Sequence, residues 1–154
     1  MTDKETTKDK VLYFDDDPFI NSALAQTLSL FNWDVLLVPD IDILFKELKT
    51  HHFNIIIMDI MAPIPQKNNK YICFTSKEID EMEMGLNVGV VLAKKIWKEI
   101  NQTIPILFLS VKSNPIPNDF ELSHFNCDFL RKPQLAKDVD EKLRLLLNKN
   151  NKAL

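Results

Sequence analysis

Three aspartates in succession, Asp15, Asp16 and Asp17, end an apolar run in VLYFDDDPFI, and a fourth, Asp59, ends another in IIIMDIMAP. Ser110 closes a third such run, PILFLS, and Lys132 follows a fourth in FLRKP. Carboxylates that converge to ~5 Å repel by roughly 3 kcal/mol per pair at an effective dielectric of about 20, so a site built from Asp15, Asp16 and Asp59 asks for a cation. An oxygen-only donor set suits Mg²⁺, with Mn²⁺ as the second choice. Asp17 reads differently: with Pro18 after it, it is a helix cap rather than a ligand. Taken singly, Asp15 and Asp16 could be turn residues and Ser110 a satisfied core hydroxyl. The joint pattern is what points to a site.

A parallel sheet would bring these positions together. Val11–Phe14, Val35–Val38, Asn54–Met58, Pro105–Leu109 and a short run around Asp128–Leu130 read as strands that are apolar throughout. Between them lie helical patterns: Ile20, Leu24, Thr27, Leu28 and Phe31 after Pro18, then Ile41, Leu44, Phe45 and Leu48 up to about His51. A third helix is predicted from about Gly85 to Ile100, and a last one with Leu135, Val139, Leu143, Leu146 and Leu147 in the core. Alternation of this kind implies an α/β fold, a doubly wound five-stranded parallel sheet of flavodoxin-like type. Ligands then bind at the carboxyl ends of strands, where the acids, Ser110 and Lys132 all fall.

Two stretches depart from the alternation. Residues 62–84, APIPQKNNKYICFTSKEIDEMEM, form a long insertion after strand three, read as a loop whose closure costs little. The two prolines of SNPIPN, 113–118, should delay or shorten a fourth helix. The domain is placed at 10–148, with polar tails at 1–9 and 149–154.

Composition bounds the function. The 154 residues suit one core, and 45% hydrophobic with 27% charged residues is ordinary for a globular chain. A net charge of -3 offers no cationic field for phosphate backbones, so direct nucleic-acid binding is not expected. No apolar run reaches the ~20 residues of a membrane span, and the polar N-terminus lacks a secretory signal, so the expected location is cytoplasmic. Cys73 and Cys127 lack metal-binding spacing and are read as reduced thiols, and His51, His52 and His124 as surface or helix-end residues.

These motifs, in order and at these strand ends, resemble the response-regulator receiver family over Lys10 to Leu147. The resemblance implies a phosphoryl acceptor at Asp59, with Ser110 and Lys132 assisting and Phe129 as a switching aromatic residue. It implies a Mg²⁺ held by Asp16, an oxygen of Asp59 and the backbone carbonyl of Met61, with Asp15 acting through water. Lys132 would pair with Asp59 or with its phosphoryl oxygens, across a cis Lys132–Pro133 bond. Met61 and Lys112 would flank the water that hydrolyses the acyl phosphate. The partners implied are a histidine kinase or phosphotransfer protein and a downstream protein that the residues do not identify. Such a chain is a phosphoacceptor that takes part in its own phosphorylation and dephosphorylation rather than an enzyme. Phe125 and Asn126 stand where the family usually has Gly-Ala, a departure that bears on how closely a fourth helix approaches strand five.

Two other readings remain. The Asp15-x-Asp17 spacing, followed by Ser110 and Lys132, also resembles the haloacid-dehalogenase-like phosphatases, with Asp15 as nucleophile, although Asp59 is then unexplained. A vestigial receiver acting as an interaction module is the other.

Overall fold

The computed structural model of the protein describes residues 7–111 and 122–152. Strands β1 (Asp9–Phe14), β2 (Trp33–Val38), β3 (Ile55–Asp59), β4 (Ile106–Ser110) and β5 (Cys127–Arg131) form one parallel sheet in the order β2-β1-β3-β4-β5. Helices α1 (Pro18–Leu30), α2 (Ile41–Thr50), α3 (Ser76–Glu81), α4 (Val88–Glu99) and α5 (Ala136–Lys152) connect or follow them. The five-stranded flavodoxin-like architecture expected from the alternation is present.

The period-2 geometry of a strand splits each apolar run between two cores. Leu12, Phe14, Ile56, Met58, Ile106 and Phe108 face one side, where Leu44 and Phe45 of α2 and Val91, Leu92 and Ile96 of α4 join them. Val11, Tyr13, Ile55, Ile57, Leu107 and Leu109 face the other, against Leu28 of α1 and Val139, Leu143 and Leu146 of α5. At about 1.5–3 kcal/mol per fully buried large apolar side chain, this two-sided burial is what a parallel sheet requires.

Register then aligns the site. Phe14 pairs with Met58, Met58 with Phe108, and Phe108 with Phe129. The next residues on β1 and β3 are therefore Asp15 and Asp59, side by side at the point where the winding reverses about β1. Asp59 pairs with Leu109, one residue before Ser110, and Ser110 pairs with Arg131, one residue before Lys132.

Several expectations need correction. Residues 62–84, expected as an inserted loop, are not a bare loop: they contain α3 and a 3-10 turn at Glu83–Gly85, and they send Ile72, Phe74 and Met82 into the core. Thr75 caps α3 in a reciprocal box with Glu78, a local signal already present in the sequence. The segment is tied down by the amide of Tyr71 donating to Asp42, by Lys49 donating to the Tyr71 carbonyl, and by Lys95 of α4 bonding both oxygens of Glu78. Removing it would expose apolar surface and leave the buried Lys95 with Glu99, at 3.5 Å on the same helix, in place of the two shorter bonds to Glu78, so its cost exceeds loop closure. Helix α4 begins at Val88 rather than Gly85, because Met84 and Gly85 take left-handed backbone angles, φ 57° and 98°. Leu135 precedes α5 and is 71% exposed rather than core, and α5 runs on to Lys152, into the expected tail. Strand β1 likewise starts within the expected N-terminal tail, at Asp9.

The two residues in place of Gly-Ala have structural work. Phe125 stacks on Trp97 at 4.3 Å between ring centroids, and Asn126 donates from Nδ2 to the Leu146 carbonyl at 2.8 Å. Cys73 and Cys127 form no disulfide. The SNPIPN stretch, a fourth helix there and Lys112 lie outside the described residues.

Candidate functional site

The edge formed by the ends of β1, β3, β4 and β5 gathers four charged side chains. Asp15 and Asp59 are buried and Asp16 is exposed, and one carboxylate oxygen from each lies within 4.8 Å of the others. Lys132 reaches this group from the β5–α5 turn, its Nζ 2.8 Å from Asp15 Oδ2 and 3.6 Å from Asp59 Oδ1. Its peptide bond to Pro133 is cis, and its amide donates to the Ser110 carbonyl at 2.7 Å. Lys132 thus pairs with Asp59, as the resemblance implies, and stands nearer still to Asp15. Asp15 also accepts from the amide of Asp17 at 3.0 Å through its other oxygen.

Burial pushes the Asp59 carboxyl up to about 7 from its ordinary 3.8, and the charge of Asp15 pushes in the same direction. Lys132 pulls it down, Asp16 raises it further, and the backbone amide of Met61 lowers it by donating a hydrogen bond. One lysine therefore offsets only part of the repulsion among three carboxylates. An all-oxygen cluster with uncompensated negative charge fits a hard divalent cation.

Ser110 is fully buried in the same row, and Phe129 is half-buried on β5, packed against the α2–α4 side of the core. Met61 is half-buried just past Asp59. Asp17 sits immediately before α1, where its carbonyl accepts from Asn21 Nδ2 at 2.8 Å.

Two positions that the motifs did not flag also shape the site. Gly89, in the first turn of α4, donates its amide to Ile60 O at 2.8 Å, and a Cβ built there would stand 2.1 Å from the Asp59 carbonyl oxygen. Only glycine lets α4 approach the end of β3 so closely. The first part of the insertion, Ala62–Gln66, walls a cleft of about 370 Å³ that also holds Asp16, Asp40 and Asp42. In sequence, nothing distinguishes this wall from an ordinary Pro-rich loop.

No family model matches the chain. It is 24% identical over 146 residues to the "Probable transcriptional regulator ycf27" of Porphyridium aerugineum, a match that takes in 95% of this chain and 51% of that protein. The chain thus spans about half the length of this curated relative. Among solved structures, the receiver domain of Francisella response regulator 1452 superposes with a TM-score of 0.67 at 20% identity, over 92% of this chain and 98% of that one. A CheY-like receiver domain protein of Methanospirillum hungatei JF-1 gives 0.65 at 17%, over 96% and 99%. The response regulator TrrA of Thermotoga maritima, solved in complex with Mg²⁺-BeF, gives 0.65 at 18%, over 90% and 98%. Among the described residues no helix is long and apolar enough to cross a membrane. The chain has the fold of the response-regulator receiver domains.

Proposed function

We propose that the chain is a signalling switch that accepts a phosphoryl group on Asp59 from a histidine kinase or phosphotransfer protein in a cytoplasmic setting, and passes its state to a downstream protein. The convergence of Asp15, Asp16 and Asp59 with Lys132 at the switch point of the sheet carries this reading. Asp59 supplies the attacking carboxylate oxygen. As its bond to phosphorus forms, the bond from phosphorus to the donor atom breaks and the leaving group departs with the electron pair. Lys132, already 3.6 Å from Asp59, moves its charge onto the phosphoryl oxygens, and Ser110 donates a hydrogen bond to them. Phe129 is the aromatic residue that responds to the new position of Ser110. Asp16, Asp59 and the Met61 carbonyl would hold Mg²⁺, with Mn²⁺ as a substitute, and Asp15 would act through water. When bound, the metal neutralises charge on the phosphoryl oxygens and orients them for in-line attack. The similarity to a longer transcriptional regulator agrees with a receiver role, and the chain's own charge does not favour nucleic acid.

The phosphatase reading is weaker because Asp15 is 1% exposed and held by Lys132 and the Asp17 amide, which leaves it poorly placed as a nucleophile. Exposure to a small phosphodonor with Mg²⁺, followed by mapping of the modified aspartate, separates the readings. Label on Asp59 supports the switch, label on Asp15 the phosphatase, and no label an interaction module.

Asp16→Ala should weaken Mg²⁺ binding at least about tenfold, since it removes one of few ligand oxygens, whereas Asp17→Ala should change it less than about twofold. Titration of each variant with Mg²⁺ decides this, and equal losses would reject the division of roles. A pH dependence follows from Asp59 as well. Its raised pKa, about 7, means that metal and proton compete for the same carboxylate near neutrality. Mg²⁺ affinity in the wild type should therefore fall about tenfold from pH 8 to pH 6. A flat profile over that range would remove Asp59 from the ligand set.

A further inference from the structure

The backbone just past Asp59 has its donors fixed one by one. The Ile60 amide donates to the Leu109 carbonyl at 3.2 Å, and the Ile60 carbonyl accepts from Gly89 at 2.8 Å. The Met61 amide donates to the Asp59 carboxylate, and the Ala62 amide donates to the Gly85 carbonyl at 3.1 Å. The Met61 carbonyl, by contrast, accepts no hydrogen bond from the described residues. A peptide unit is planar, and in a trans unit the N–H and the C=O point in opposite directions. The Met61 carbonyl and the Ala62 amide belong to one trans unit, so the bond to Gly85 sets the direction of both.

The turn that supplies this acceptor is built for the approach. Glu83, Met84 and Gly85 all take left-handed angles, φ 49°, 57° and 98°, a conformation disfavoured for the first two. The amides of Gly85 and Asn87 close the turn by donating to the carbonyl of Met82, which is anchored in the core. A Cβ on Gly85 would stand 2.8 Å from the Ala62 carbonyl oxygen. Glycine is therefore needed at 85 both for its own angle and for the contact with Ala62.

We infer that Gly85 is a positioning residue for the metal site: its carbonyl, by holding the Ala62 amide, aims the Met61 carbonyl at the cation that Asp16 and Asp59 would share. The inference rests on the Mg²⁺ site proposed above and adds to it the far end of residues 62–84. A neutral carbonyl is a good ligand only where it is held in place, and partners that orient a ligand typically carry about 10–100-fold in metal affinity.

Met61–Ala62 is the one Met-Ala pair in the sequence, so protein labelled with carbonyl-¹³C methionine and ¹⁵N alanine gives a single correlated signal for this peptide unit. In the wild type, saturating Mg²⁺ should move the Met61 carbonyl carbon, and the Ala62 amide should exchange slowly. Gly85→Ala should weaken Mg²⁺ binding about tenfold or more and speed exchange at Ala62. The movement of the Met61 carbon at saturation should also shrink, a signature that lower stability alone would not give. Met84→Gly, which relaxes the same turn and keeps the Gly85 carbonyl, should bind Mg²⁺ within about twofold of wild type. A Met61 carbon unmoved by Mg²⁺ in the wild type overturns the inference whether or not Gly85→Ala folds. Wild-type affinity in a folded Gly85→Ala, or equal losses in Gly85→Ala and Met84→Gly, overturns it too. Phosphodonor labelling separates the two readings. Label on Asp59 and bound Mg²⁺ with an unmoved Met61 carbon reject only the role of Gly85, whereas loss of both binding and label in the wild type rejects the site as well.

Discussion

Asp59→Asn is expected to abolish phosphorylation by small donors and to leave a domain at least as stable as the wild type. The loss of labelling follows if Asp59 supplies the attacking oxygen, because an amide cannot form the acyl phosphate. The stability effect follows from the raised pKa. Asp59 binds its proton more tightly in the folded chain than in the unfolded one, where its pKa is near 3.8, so metal-free stability falls as pH rises from about 4 to about 7 and then levels. Asparagine is neutral at every pH and escapes that loss. One pKa unit corresponds to about 1.4 kcal/mol, so the variant should gain on the order of 2–4 kcal/mol at pH 8 and little at pH 4. Urea unfolding at the two pH values measures the gain, and acid-stable, hydroxylamine-labile label measures the acceptor. Wild-type label yield in the variant would show that Asp59 is not the acceptor. A gain equal at both pH values would show that repulsion at Asp59 is not what limits stability.

Gly89→Ala should be the most damaging single methyl group in the domain. The new Cβ would stand 2.1 Å from the Asp59 carbonyl oxygen, 2.9 Å from its carbonyl carbon and 2.7 Å from Ile60 Cα, all of them backbone atoms that no side-chain rotation can clear. Helix α4 must move away from β3, which stretches or breaks the 2.8 Å bond from the Gly89 amide to Ile60 O. Alanine's better helix propensity returns only about 1 kcal/mol. The net cost should be at least about 3 kcal/mol, a large share of the 5–15 kcal/mol typical of a domain. Denaturant unfolding of Gly89→Ala beside Lys98→Ala, a change on the same helix away from the sheet, tests this. A Gly89→Ala variant within about 1 kcal/mol of wild type would mean that α4 has slack against β3.

The same two residues mark the boundary between what is legible in one dimension and what is not. Asp59 is readable because an apolar strand buried on both faces must stop where its backbone reaches the surface, and IIIM followed by Asp announces that point. Asp15, Ser110 and Lys132 are readable for the same reason. Gly89 lies in an unremarkable helical stretch, and its necessity comes from a β3 backbone thirty residues earlier in the chain.

The insertion shows a second kind of illegibility. Helix α3 spans only six residues, too few for an apolar period to emerge, although the Thr75–Glu78 capping pair was there to be read. That Phe74 and Ile72 are core residues depended on what lies opposite them, α2 and α4, and therefore on tertiary packing. Leu135 errs in the other direction: it matches the period of α5 but precedes the helix, where no facing element covers it.

By itself the sequence determined the α/β alternation, the parallel sheet and the strand ends that carry the acids, the hydroxyl and the lysine, because burial on two faces and helical amphipathicity are periodic in the chain. Tertiary structure alone decided that Lys132 sits nearer Asp15 than Asp59, that the Asp59 carboxyl rises to about 7, and that the buried Tyr13 hydroxyl has no partner among the described residues. Each of these depends on distances between residues far apart in the chain and on how much water remains between them, and neither quantity is encoded in local spacing.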